Sequence, residues 1–94
     1  MPEKIQHCLK IIVSGRVQGV YFRAFTQKQA LKHGITGYAK NLPDGNVEIV
    51  ACGSESALQQ LIAWCHKGPL LAKVSAVEVL PCPDCPSFSD FSIL

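Results

Sequence analysis

No run of basic residues, no apolar stretch long enough to cross a bilayer and no second pair of closely spaced cysteines appears anywhere in these 94 residues. Each absence removes a class of function. Nine Lys and Arg against seven Asp and Glu leave a net charge of +2 spread along the chain, so nothing builds the basic face that nucleic acid or an anionic membrane demands. The amino-terminal "MPEKIQHCLKIIVSG" has no long apolar core behind a basic region and no small-residue cleavage site. It predicts a protein of the cytoplasm with neither a leader nor a membrane partner.

Five cysteines, at positions 8, 52, 65, 82 and 85, are an odd number, and without a secretory signal they do not read as a secreted disulfide framework. "PCPDCP", with Cys82 and Cys85, has the spacing of half a zinc site or of a redox pair. Four-coordinate zinc needs two further ligands and only Cys65 with His66 is on offer, so the segment reads as a proline-stiffened loop, and no metal is expected. A cysteine-dependent phosphatase is excluded as well, since no cysteine precedes an arginine with five residues between them. His7, His33 and His66 show no catalytic spacing; the latter two sit near the ends of helical segments, where positive charge is favourable.

What the chain does have is hydrophobic content of 48 %, enough for one core, and a length that fits a single domain over residues 1–94. Leu9, Ile11 and Val13 alternate with Cys8, Lys10 and Ile12 in a first strand that ends at Gly15. From Phe22 to His33 there is no proline or glycine, and Phe22, Phe25, Thr26 and Ala30 recur at helical spacing before Gly34 stops the pattern. "ITGYAKN" and "VEIVAC" alternate on either side of the turn "LPDGN", which makes a hairpin. A second helix from Glu55 to His66 places Ala57, Leu58, Leu61, Ile62 and Cys65 on one stripe, with Ser54 or Ser56 as its cap. "AKVSAVEVL" supplies a fourth strand and "FSIL" a short fifth.

The order strand, helix, strand, strand, helix, strand predicts an α+β, ferredoxin-like sandwich: an antiparallel sheet, βαββαβ plus a short fifth strand, with both helices on one face. In that topology the first and second strands run the same way with the third between them. The loop after the first strand and Asn41 at the end of the second then meet at one edge. Parity sets Cys8, Lys10 and Ile12 on one face of the first strand, and Glu48, Val50 and Cys52 on one face of the third. A register with Lys10 opposite Val50 brings Cys8 opposite Cys52, where either a disulfide or two reduced thiols fits.

Between the first strand and the first helix lies "GRVQGVYFR", residues 15–23. Peptide N–H groups of a tight glycine loop, joined to those at a helix start, make a concave donor surface suited to phosphate. Arg23, in the first helical turn, adds a bidentate, charge-assisted fork. The loop is neither a nucleotide P-loop, lacking the Lys-Ser or Lys-Thr that must follow, nor a dinucleotide fingerprint, lacking a third glycine. Taken alone, two glycines ask for no more than a turn, and Arg23 for no more than a solvated charge. Asn41, likewise, is a common turn residue.

"GRVQGVYFR" followed by "GITGYAKNLPDGNVEIVACG" resembles the two signature regions of the acylphosphatases, small enzymes that hydrolyse the carboxyl-phosphate bond of acyl phosphates. "GPLLAKVSAVEVL" and the terminal "FSI" carry the resemblance over nearly the whole chain. It implies a ferredoxin-like fold, no cofactor, no covalent phosphoenzyme, and acyl phosphates and inorganic phosphate as the partners of a monomer. By that resemblance Arg23 and the backbone of Arg16, Val17, Gln18, Gly19 and Val20 bind the phosphoryl group. Gly15 and Gly19 shape the cradle, and Asn41 holds the attacking water. Leu42 and Asn46 depart from the hydroxyl residues familiar at those positions in some members. Two other readings stand beside it: an RNA-binding domain of the same fold, which the absence of aromatic residues from "NVEIVAC" opposes, and a non-catalytic phosphate or carbamoyl-phosphate binding module.

Overall fold

Alternating apolar residues and two amphipathic helices fold into a five-stranded sheet with one layer of helices, described by a computed structural model for residues 7–82 and 88–94. The elements are β1 (His7–Arg16), α1 (Phe22–Lys32), β2 (Thr36–Asn41), β3 (Val47–Gly53), α2 (Glu55–Lys67), β4 (Lys73–Pro81) and β5 (Phe91–Ile93). The strand order is β4-β1-β3-β2-β5. The four longer strands pair antiparallel with one another, while β5 adds in parallel beside β2, so the sheet is mixed.

One face of the sheet makes the core. Ile11, Val13, Ala39, Val47, Ile49 and Ala51 meet Phe22, Ala30, Leu58, Leu61 and Cys65 from the helices in one buried cluster. Phe22 packs on Trp64 with ring centroids 5.3 Å apart, which joins α1 to α2. Helix α2 follows its sequence pattern closely. Ser54 caps it by accepting from the Ala57 N–H at 3.1 Å, Glu55 lies in its first turn and His66 and Lys67 in its last.

Helix α1 corrects its pattern in one respect: only Phe22, Thr26 and Ala30 are buried, a narrow i, i+4 stripe. Phe25 belongs to the outward side, 43 % exposed. The rest of that helix is mostly polar, and the buried Thr26 hydroxyl is satisfied by donating to the Phe22 carbonyl at 2.8 Å.

On the opposite face, β1 and β3 pair with Lys10 opposite Val50 and Cys8 opposite Cys52, and the two cysteines are bonded as a disulfide. Beside it Lys10 reaches Glu48 at 3.9 Å, and the Tyr38 hydroxyl donates to the same carboxylate at 2.8 Å. Cys82 is a half-buried free thiol; Cys85, its companion in "PCPDCP", lies outside the described residues.

Candidate active site

The strand register decides which residues share an edge. Val13 of β1 stands opposite Val47 of β3, and Val47 stands opposite Asn41 of β2. The segment leaving β1 and the end of β2 therefore emerge together, separated by the width of one strand, about 5 Å from each. Gln18 fastens them: its Nε2 donates to the carbonyls of Leu42, at 2.8 Å, and Asn46, at 2.9 Å.

The loop itself is bent by two left-handed residues, Gly19 at φ +74° and Tyr21 at φ +61°. For tyrosine that conformation costs about 1–2 kcal/mol, and such strain concentrates where a backbone is shaped for a ligand. Tyr21 is also the N-cap of α1, and it offers no side-chain acceptor to the N–H groups behind it; nor does an acidic residue stand in the first turn. The contrast with α2 is direct. One helix start is capped and neutralised by its own residues, whereas the other presents uncompensated donors and partial positive charge to a cleft.

That cleft, about 440 Å³, is lined by Val17, Gly19, Tyr21, Phe22, Arg23, Ala24, Asn41 and Ile93. Arg23 crosses it half-buried, one Nη donating to the main-chain oxygen of Leu94, which in turn follows β5 and donates its own N–H to Ala39 at 2.9 Å. The tie holds the guanidinium in place while the rest of its donor fork stays uncommitted. Asn41 supplies the complementary feature. Its Oδ1 is buried and has no hydrogen-bond partner, alone in this among side-chain N and O atoms of the described residues. A buried acceptor without a donor costs about 1–3 kcal/mol, so the site is built to receive one, and a water is the smallest donor that fits.

The cleft thus brings together Val17, Gly19, Arg23 and Asn41 from the residues singled out by sequence. The others stand around it. Gly15 and Arg16 lie at the end of β1 against β4, where the pairing shifts register between Ser14 and Gly15. A Cβ on Gly15 would sit 2.1 Å from the Lys73 carbonyl oxygen. Gln18 points its side chain to the β2–β3 turn, and Val20 is buried in the core. Tyr21, Phe22, Ala24 and Ile93 complete the lining without having been anticipated there. The αL strain of Tyr21 has no sequence signal, and Ile93 enters only because β5 pairs with β2.

A family model described as Acylphosphatase matches residues 9–93. An acylphosphatase of Halorhodospira halophila is 50 % identical over 88 residues, 94 % of this chain and 95 % of that one. Among solved structures, an acylphosphatase from Coxiella burnetii superposes with a TM-score of 0.93 at 38 % identity, covering 100 % of both chains. One from Bacillus subtilis superposes with a TM-score of 0.89 at 40 % identity over 96 % of this chain and 99 % of that one.

Proposed function

The chain belongs to the acylphosphatase family, and from that premise we propose how its residues divide the hydrolysis of an acyl phosphate to a carboxylate and inorganic phosphate. The phosphoryl group sits against the uncapped start of α1, with its oxygens on the loop N–H groups and on Arg23. Water hydrogen-bonded to the Asn41 amide attacks phosphorus in line, the bond from phosphorus to the bridging oxygen breaks, and the acyl carboxylate leaves. Among the described residues no His, Asp or Glu lines the cleft, so the proton lost by the water passes to a phosphoryl oxygen.

This division of labour matches the chemistry. A carboxylate is a good leaving group and needs no strong acid. What remains is to position the water and to stabilise charge on the equatorial oxygens, the two contributions that dominate phosphoryl transfer. Neither step calls for a metal or a covalent intermediate. The observation that carries the assignment is the unpartnered Asn41 Oδ1 in the same cleft as Arg23 and the uncapped helix start. A non-catalytic phosphate or carbamoyl-phosphate binding module is not favoured, because the relatives matched over nearly their whole length carry the enzyme's name.

The test is hydrolysis of benzoyl phosphate in EDTA by the parent protein and by Arg23→Gln, with inorganic phosphate as a competitive inhibitor. Loss of charge-assisted bonds predicts a fall of about 10²-fold in turnover together with weaker phosphate inhibition. Undiminished phosphate affinity in Arg23→Gln would remove the arginine from the cradle. Loss of parent activity in EDTA would refute the metal-free reading.

A further inference from the structure

Phosphate binding and water positioning leave the outward side of α1 without a task, yet that side carries two aromatic residues. Tyr21 is 75 % exposed and Phe25 43 % exposed. Single exposed aromatics need no explanation. These two, however, line a second cleft of about 420 Å³ together with Ala24, Gln27 and Lys28. Within α1, Lys28 lies three positions from Phe25 and four from Ala24, which sets these side chains on one face, and Tyr21 joins them from the N-cap. Tyr21 and Ala24 also line the phosphate cleft, so the two clefts adjoin through these residues.

The adjoining side is the informative one. In-line displacement places the leaving group on the side of phosphorus opposite the attacking water. Asn41, which holds the water in the proposed reaction, lines the first cleft but not the second. The acyl group is therefore directed away from Asn41, and the second cleft meets the first through Tyr21 and Ala24 and not through Asn41. Ala24 adds only a methyl group to the lining. Lys28 stands at the Phe25 ring with its Nζ 6.0 Å from the centroid, and Gln27 is held by a bond of 2.7 Å from its Nε2 to the Phe91 carbonyl. The groove thus has apolar, flat walls and a fixed flank.

We propose that this groove is the subsite for the acyl group, and that Phe25 with Tyr21 makes the enzyme select aromatic acyl phosphates over acetyl phosphate. The inference rests on the acylphosphatase reading given above. A benzoyl ring finds the face or edge of an aromatic partner there, whereas a methyl group reaches neither wall.

The experiment measures kcat/KM for benzoyl phosphate and for acetyl phosphate with the parent, Phe25→Ala and Phe25→Tyr. Phe25 lies outside the phosphate cleft, so acetyl phosphate hydrolysis is retained in both variants. The ratio of benzoyl to acetyl rates falls about threefold to tenfold in Phe25→Ala, the worth of one aromatic pair, and is kept in Phe25→Tyr. Because each variant is compared with the parent, the intrinsic reactivity of the two acyl phosphates cancels. An unchanged ratio, or a parallel loss of both activities, overturns the subsite while leaving the hydrolytic reading intact. A parent protein inert toward both substrates overturns that reading, and the subsite with it.

Discussion

Replacing Asn41 with alanine separates two roles for that residue, because they predict opposite signs for stability. An asparagine that serves the turn hydrogen-bonds the backbone there, and its loss costs about 0.5–1.5 kcal/mol. The β2–β3 turn makes no such use of it. That turn closes through Leu42 N–H to the Asn46 carbonyl at 2.8 Å, Gly45 N–H to the Leu42 carbonyl at 3.1 Å, and Asn46 N–H to Asp44 Oδ1 at 3.0 Å. Asn41 Oδ1 is instead buried without a protein donor. Removing such an acceptor relieves part of a penalty of about 1–3 kcal/mol, the remainder being met by water. Stability is expected to stay level or to rise by up to about 1 kcal/mol, which corresponds to about 4–8 °C in Tm for a domain of this size. Activity moves the other way. A nucleophile displaced by about 1 Å forfeits about 10²-fold in rate, and kcat falls accordingly while inhibition by inorganic phosphate is nearly unchanged. Urea unfolding and benzoyl phosphate hydrolysis on the same preparation give both numbers. A kcat close to the parent's, or a loss of stability accompanied by weaker phosphate inhibition, would refute the reasoning.

Three further outcomes follow from the same geometry. Gly15→Ala forces a Cβ against the Lys73 carbonyl at φ +119° and costs about 3 kcal/mol or more, whereas Gly19→Ala, at φ +74° with open space around it, costs about 1–2 kcal/mol; equal urea midpoints for the two would contradict this. Reducing the Cys8–Cys52 bridge, which spans 44 residues, lowers stability by up to about 4 kcal/mol and leaves kcat unaltered, since the bridge lies on the sheet face away from the helices. Denaturation with and without reductant measures it, and coincident curves mean the thiols are already reduced in solution. Burial pushes the Cys65 thiol from its ordinary 9.0 up to about 12. The unfolded chain therefore gives up that proton first. The stability this neutral thiol contributes is complete below about pH 9 and is lost as pH rises toward 12, at about 1.4 kcal/mol per unit. In Cys65→Ala the slope above pH 9 should flatten by that amount, and an identical slope in both proteins would show the thiol ionising freely in the fold.

Much of this was legible along the chain because the signals are local. The Ser54 cap, the stripe from Ala57 to Cys65 and the alternation in β1 and β3 each depend on residues a few positions apart, and each appears where the spacing places it. The topology that brings Asn41 beside "GRVQGV" also follows once the element order is read as the split βαβ arrangement, in which β1 and β2 run the same way on either side of β3. Phe25 was not legible. Its spacing suits the buried stripe of α1, but that helix lies on β2 and β5 over a narrow front, and the stripe closes at Phe22, Thr26 and Ala30.

By itself, then, the sequence determined the order of the elements, the family they compose, and the loop, arginine and asparagine that we propose for the phosphoryl group. Only tertiary structure decided how those groups are held. The Arg23 tie to Leu94 spans 71 positions, and the Gln18 bonds to Leu42 and Asn46 span 24 and 28. The parallel placement of β5 that brings Ile93 into the cleft has no local cause either. The unpartnered state of Asn41 Oδ1 depends on what fails to reach it. Such contacts are set by the packing of helices on a twisted sheet, a property of the whole fold that no window along the chain contains.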